Sequence, residues 1–256
     1  MSEPLEPAED VVLITGASSD IGRELLRQLA AEPGCGAIVA HARSGADRLE
    51  ALRREIPGLA ERLHVVRADL ASESELHELI DTVRLRHGRP TRIVHLAAPR
   101  LELRRAAELD WKPLAADLEI QLRSIAAILA AFLPAMAKSA RRCKVVFMLS
   151  SVTIGAPPKF MAQYTVGKFA LLGLMRALAV EYADKPVCFN AVSPSMVDTQ
   201  FLAGVPGKFV QMAAAAHPAK RNARVEDVVP AIRFLLSPES DYVSGANFPV
   251  TAGSAL

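Results

Sequence analysis

The strongest constraint on this chain is a rhythm. Short apolar runs lie at 11–15, 37–40, 63–66, 92–96, 144–149, 187–192 and 247–250. Helix-length amphipathic stretches fall between them, near 21–32, 46–56, 73–87, 110–139, 161–184 and 226–237. Short runs enriched in Val and Ile suit strands buried on both faces. Their alternation with helices predicts an α/β fold: a doubly wound parallel sheet of about seven strands with helices on both faces. The helix opening at 73 carries Ser72-Glu73-Ser74-Glu75, a capping box in which Ser72 caps and Glu75 reaches back. The stretch 193–225, rich in Pro, Gly and Ala, breaks the rhythm and reads as irregular. Ligands in open α/β sheets bind outside the carboxyl ends of strands, so a segment near 195–225 is a candidate substrate lid.

No Pro/Gly/Ser linker divides the 256 residues. The chain therefore reads as one domain, 10–256, behind a flexible N-terminal tail, 1–9. Lys plus Arg number 30 against 28 Asp plus Glu, a net charge of +2, which gives no electrostatic case for nucleic acid or an anionic membrane. The acidic start, with Pro4 and Pro7, is unlike a signal peptide. The longest apolar stretch, 125–137, is interrupted by Pro134 and falls short of the roughly 18 residues of a membrane span. Cys35, Cys143 and Cys188 are scattered and odd in number, with no CxxC; reduced thiols, a cytoplasmic location and no metal site are expected.

The first run leads into Thr15-Gly16-Ala17-Ser18-Ser19-Asp20-Ile21-Gly22 and then a helix. Such a turn presents backbone N–H groups and a positive dipole end, a site for pyrophosphate. Gly16 allows the tight turn, and Gly22 allows close packing. Asp20 favours the dipole but would oppose a phosphate; a side chain turned to solvent leaves the site usable. After the second run comes His41-Ala42-Arg43-Ser44, with no acid to grip ribose hydroxyls. Arg43 and Ser44 can instead hold a 2′-phosphate, favouring NADP(H) over NAD(H); the alternative is a surface arginine in a loop.

The fifth run ends in Ser150-Ser151. Tyr164 lies thirteen residues beyond Ser151, and Lys168 four further on. Residues i and i+4 share a helix face, and an ammonium beside a phenol is expected to lower its pKa. Ser151, Tyr164 and Lys168 together offer a proton donor and a second hydrogen-bond donor for a carbonyl oxygen.

On these residues the chain resembles the short-chain dehydrogenase/reductase family from about residue 10 to 253, most of all its 3-oxoacyl-(acyl-carrier-protein) reductases. The first turn is similar to T-G-x-x-x-G-x-G, with Asp20 in place of the middle glycine. Asp69-Leu70 resembles the family's D-[VL] pair, Asn190 to Ser195 with Thr199 its N-x-x-x-P-G…T segment, and Tyr242 to Gly245 its Y-[IV]-[TS]-G turn. The resemblance implies a Rossmann-type fold and hydride transfer between nicotinamide and carbon. Tyr164 would exchange the proton, Lys168 hold the ribose and Ser151 orient the carbonyl. Gly16, Ser18, Ser19, Asp20, Ile21, Gly22, Asp69, Leu70, Ala97, Pro194, Val197 and Thr199, together with Arg43, Ser44, Tyr164 and Lys168, would contact the nucleotide.

Several positions depart from the family pattern. His95-Leu96-Ala97-Ala98 stands for N-N-A-G, Ser195 for glycine, and Ser19 for a basic residue common in NADP-using members. Gln121 stands for the asparagine of the proton relay. His95 reads as a structural hydrogen-bonder. Two alternatives stay open: a dehydrogenase of another alcohol, sugar or steroid-like substrate, and a member that binds NADP without turnover.

The lid residues Met196, Phe201, Leu202, Val205, Phe209, Val210 and Met212 form an apolar set that suits a ketone on an acyl or polyketide chain; simple lid packing explains it equally. The resemblance implies docking of acyl carrier protein by Arg142 and Lys185. Helices 110–139 and 161–184 are apolar over more than one stripe, so burial on two sides is expected. A homo-oligomer, dimer or tetramer, follows, with Pro134 kinking or ending the first helix.

Overall fold

The computed structural model describes residues 10–32 and 34–254. The tail expected at 1–9 lies outside them. All seven apolar runs are strands: β1 (Asp10–Thr15), β2 (Cys35–Ala42), β3 (Leu63–Arg67), β4 (Arg92–His95), β5 (Cys143–Met148), β6 (Val187–Pro194) and β7 (Asn247–Val250). They form one sheet in the order β3-β2-β1-β4-β5-β6-β7, and every pairing is parallel. The order reverses direction between β1 and β4, which opens a crevice at their carboxyl ends.

Strand residues alternate between two helical layers, as the two-residue period of a strand requires. Val12, Ile14, Val94, Val146 and Val192 pack under α1 (Asp20–Ala30), α2 (Ala46–Glu55) and α8 (Val225–Leu236). Leu13, Ile93, Val145, Phe147 and Ala191 pack under α3 (Glu73–His87), α5 (Ser124–Met136) and α6 (Ala162–Glu181). Both faces being covered is why the runs are apolar almost throughout.

Four local expectations change. The helix expected over 110–139 is α4 (Trp111–Leu118), a π turn (Glu119–Arg123) and α5. Pro134 sits inside α5 two residues before its end, so the irregularity is at the π turn. Trp111–Met136 is continuous over 26 residues and long and apolar enough to span a membrane. Its Ile125, Ile128, Leu129, Phe132, Leu133 and Met136 are instead committed to the second core layer. The segment 193–225 is largely regular: β6 runs to Pro194, a 3-10 turn follows at Gln200–Gly204, and α7 spans Gly207–Ala216. Its four consecutive alanines are strong helix formers, which outweighed the Pro and Gly around them. Finally, Ser72 caps α3 by accepting from Glu75 N (3.4 Å), but the Glu75 carboxylate passes Ser72 and takes the N–H of Asp69 (2.7 Å). Ser72 N is already bonded to Asp69 O, so the box closes one turn earlier.

Candidate active site

The glycine turn is built by sterics. Gly16 has φ +68°, and a Cβ there would lie 2.8 Å from Ala97 N, so only glycine lets the turn rest on the chain leaving β4. A Cβ on Gly22 would meet Ala17 O at 2.4 Å, the close packing expected of it. Ser19 caps α1 by accepting from Gly22 N at 3.1 Å. The first amides of α1, at Asp20 and Ile21, have no intrahelical acceptor and carry the positive end of the dipole.

Two buried histidines hold this turn from either side. His41 Nδ1 accepts from Gly16 N (3.2 Å), and its Nε2 donates to Ala68 O (2.9 Å). His95 Nδ1 accepts from the Thr15 hydroxyl (2.8 Å), and its Nε2 donates to Gln121 O (2.8 Å), a carbonyl within the π turn. Burial pushes His95 down to about 3, so it stays neutral. The structural role expected of His95 matches these bonds. Sequence reading missed His41; its only signal was a polar side chain at the end of a buried strand.

A cavity of about 940 Å³ opens over the carboxyl ends of β1, β2, β4, β5 and β6. Gly16, Ser18, Ser19, Asp20, Ile21, Arg43, Ser44, Asp69, Leu70, Ala97, Pro194, Val197 and Thr199 all line it, as do Ser151, Tyr164 and Lys168. Gly22 and Gln121 do not. Gln121 is buried against Gly167, where its Nε2 lies 2.8 Å from the position a Cβ would take. Its Oε1 has no partner among the described residues. The expected relay amide therefore sits beneath α6 rather than in the cavity wall.

Asp20 does not turn to solvent. Its Oδ1 accepts from Arg23 (2.6 Å), and its Oδ2 accepts from Gln200 N (2.7 Å), 180 residues away on the lid. Arg43 is exposed at the cavity edge and has no ion pair among the described residues. The free helix-end amides, the glycine turn and an arginine at the end of β2 fit a dinucleotide whose pyrophosphate lies at α1.

Tyr164 and Lys168 both lie on α6, with Lys168 Nζ 5.5 Å from the Tyr164 ring centroid. Lys168 is buried, at 3% exposure, and donates to Met148 O (2.9 Å). Burial lowers its ammonium to about 8. The expected lowering of the tyrosine does not hold: burial pushes Tyr164 up to about 12, and only the Ser150 hydroxyl counteracts it. The ammonium is turned toward a carbonyl rather than the phenol oxygen. Ser150 and Ser151 both line the cavity, and Ser150 is the one beside Tyr164. Adjacent serines in sequence were the only signal for it.

The remaining wall is largely apolar, with Arg48, Gln200, His217 and Asn222 among its polar members. Leu101, Val152, Met161 and Val205 form a small separate core, with Tyr164, Leu202 and Phe209 packed against it. The Phe201 ring lies against Tyr164 at 6.2 Å between centroids, tilted by 48°. Arg100 adjoins this wall. Arg142 and Lys185 do not: they precede β5 and β6, at the amino ends of strands whose carboxyl ends form the cavity. A six-residue strand puts them about 20 Å from its mouth, so they do not suit docking there.

Known proteins agree with this geometry. The family described as enoyl-(acyl carrier protein) reductase, a branch of the short-chain dehydrogenases/reductases, matches residues 16–255. The chain is 30% identical to cis-4-hydroxycyclohexanecarboxylate dehydrogenase of Sinomonas cyclohexanicum over 249 residues, 96% of each chain. It is 28% identical to 3-oxoacyl-(acyl-carrier-protein) reductase of Thermotoga maritima over 248 residues, 96% of this chain and 98% of the relative. Its fold matches the 3-ketoacyl-(acyl-carrier-protein) reductase of Brucella melitensis, solved with NADH, at a TM-score of 0.85 and 22% identity, over 99% of this chain and 100% of that one. The protein belongs to the short-chain dehydrogenase/reductase family and is an oxidoreductase of alcohols and ketones.

Proposed function

We propose that this protein is an NADP(H)-dependent reductase of a 3-oxoacyl thioester, forming the secondary alcohol. The observation that carries this reading is a meeting: Ser151, Tyr164 and Lys168 share one cavity with a glycine turn about 130 residues earlier in the chain. The nucleotide, when bound, supplies the hydride. Tyr164, neutral across the physiological range, gives its proton to the carbonyl oxygen. Ser151, with Ser150 beside it, donates a hydrogen bond to that oxygen. Lys168 would hold the nucleotide ribose, and its positive charge lies 5.5 Å from the Tyr164 ring centroid.

Arg43 supports NADP(H), because no acid stands at the end of β2 and its guanidinium is free to meet a 2′-phosphate. The apolar wall supports an acyl chain. Arg100 beside it supports an anionic group remote from the carbonyl, such as the phosphate of a carrier arm. A carboxylate on an alicyclic ketone meets the same two conditions and is the second reading. Consumption of NADPH with a short 3-oxoacyl thioester and with an oxocyclohexanecarboxylate, each repeated with NADH, separates them. Arg43→Ala is expected to cut the NADPH preference about tenfold, the loss of one charge-assisted contact.

The chain is further proposed to be a cytoplasmic homo-oligomer. Its three cysteines are buried free thiols. Trp111, Phe169 and Val180 on α4 and α6, and Tyr242 and Phe248 near β7, are exposed apolar groups of the kind an interface covers. Light scattering after size exclusion tests the assembly, with a monomer as the contrary result.

A further inference from the structure

Asp20 stands in the phosphate turn, where a carboxylate has no evident use for binding an anion. Both its oxygens are nevertheless committed. Oδ1 is held by Arg23, which balances the charge, and Oδ2 accepts the backbone N–H of Gln200. Gln200 opens the 3-10 turn of the lid, and its side chain takes a second tie, from Arg48 on α2 (2.5 Å). The next residue is Phe201, whose ring packs against Tyr164. One short chain of contacts thus runs from the nucleotide turn to the proton donor: Asp20, the Gln200 backbone, Phe201, Tyr164.

From this we infer that Asp20 is a positioning residue for the carbonyl pocket: it fixes the lid backbone at Gln200 so that Phe201 walls the space above Tyr164. It does this from the nucleotide half of the cavity, so lid placement and nucleotide site share one side chain. The inference rests on the ketone-reductase reading for its kinetic consequence, but not for its structural one.

The site allows a selective test, because the Gln200 donor can be removed without touching Asp20. Thr199 is extended (φ −147°, ψ 167°), the conformation a residue before proline prefers, and the first position of a helical turn tolerates proline. Gln200→Pro therefore deletes this N–H together with the side-chain tie to Arg48, and Gln200→Ala, which keeps the N–H and loses only the Arg48 tie, is the control against which it is read. Asp20→Gly deletes the acceptor, and Asp20→Asn retains an oxygen to accept it. Hydrogen–deuterium exchange of 199–205 in the nucleotide-free protein is the first readout. Asp20→Gly is expected to speed exchange there about tenfold, and Asp20→Asn to restore most of the protection. In turnover, Asp20→Gly and Gln200→Pro should each raise the ketone KM about tenfold, with kcat little changed and no further rise in the double variant. NADPH affinity should be unchanged or tighter in Asp20→Gly, since an anion has left the pyrophosphate end. Unchanged exchange in Asp20→Gly overturns the inference, as does NADPH affinity weakening in step with ketone KM. If the wild-type protein reduces no ketone, the proposed function fails while the exchange result still decides the role of Asp20.

Discussion

The two edges of the sheet treat buried charge in opposite ways. At the amino edge, Arg92 opens β4 between Asp10 and Glu32, and Lys144 on β5 pairs with Asp241 (2.7 Å) and Ser240 (3.1 Å). Each buried cation there has a carboxylate. At the carboxyl edge, Lys168 is as buried as Lys144, at 3% exposure, yet among the described residues it has only the Met148 carbonyl. Gln121 Oε1, whose amide packs against Gly167 next to it, is buried without a partner among the described residues, as is Arg92 Nε at the amino edge. A charge without its counter-charge costs stability. The contrast teaches that one edge ties its buried cations to carboxylates, while the other leaves its cation facing the cavity without one.

The largest expected effect breaks the carboxyl edge alone. Tyr164→Phe should lower kcat by about 10²–10⁴-fold, the usual worth of a general acid, while NADPH binding measured by fluorescence persists. Breaking the amino edge should do the reverse. Asp10→Asn with Glu32→Gln strands the Arg92 guanidinium and should lower unfolding free energy by about 3 kcal/mol in urea, with kcat of the remaining folded protein unchanged.

A third change sharpens the contrast. Lys168 is held near 8 against 10.5 in solution, so at neutral pH its ammonium is a burden on the fold. Lys168→Met should abolish reduction yet raise Tm by about 2–4 °C, the shift about 1 kcal/mol makes in a chain of this size. A fall in Tm would show that the bond to Met148 O outweighs the buried charge. The same group sets a pH limb. Ketone reduction should decline as pH rises through about 8, where Lys168 loses its proton, and not near 12, where Tyr164 does.

The last effect appears only in acid. His95 is held down to about 3 against 6.5, so the unfolded chain binds more protons between those values. Its contribution to stability is therefore complete above about 6.5 and is lost as pH falls toward 3. His41, also lowered by burial, has the same sign. In urea titrations His95→Asn should flatten the loss of stability below pH 6.5.

Much of this was legible in the sequence because it is local. Each strand is a contiguous run, and the Ser151, Tyr164 and Lys168 spacing lies within eighteen residues. The glycine turn could be read from its own backbone needs. What escaped depends on residues far apart. Nothing near Asp20 announces a partner at Gln200, and solvent was the natural expectation for a carboxylate at a helix start. The resemblance puts Gln121 in the relay asparagine's place, but Gln121 sits in the π turn and its amide lies against Gly167. The tyrosine's acidity was judged from an ammonium four residues away, when depth of burial decided it.

The join between β1 and β4 has a consequence for how the chain is made. Thr15 meets His95, and Val11 meets Thr91, each across a separation of 80 residues. Until β4 leaves the ribosome, β1 is an open edge flanked only by β2, with its apolar residues uncovered on that side. At about 5–20 residues per second, that wait is roughly 4–16 s. The crevice that receives the nucleotide is thus the last seam of the first half to close during synthesis, and the stretch in which a nascent chain is most open to pairing with another.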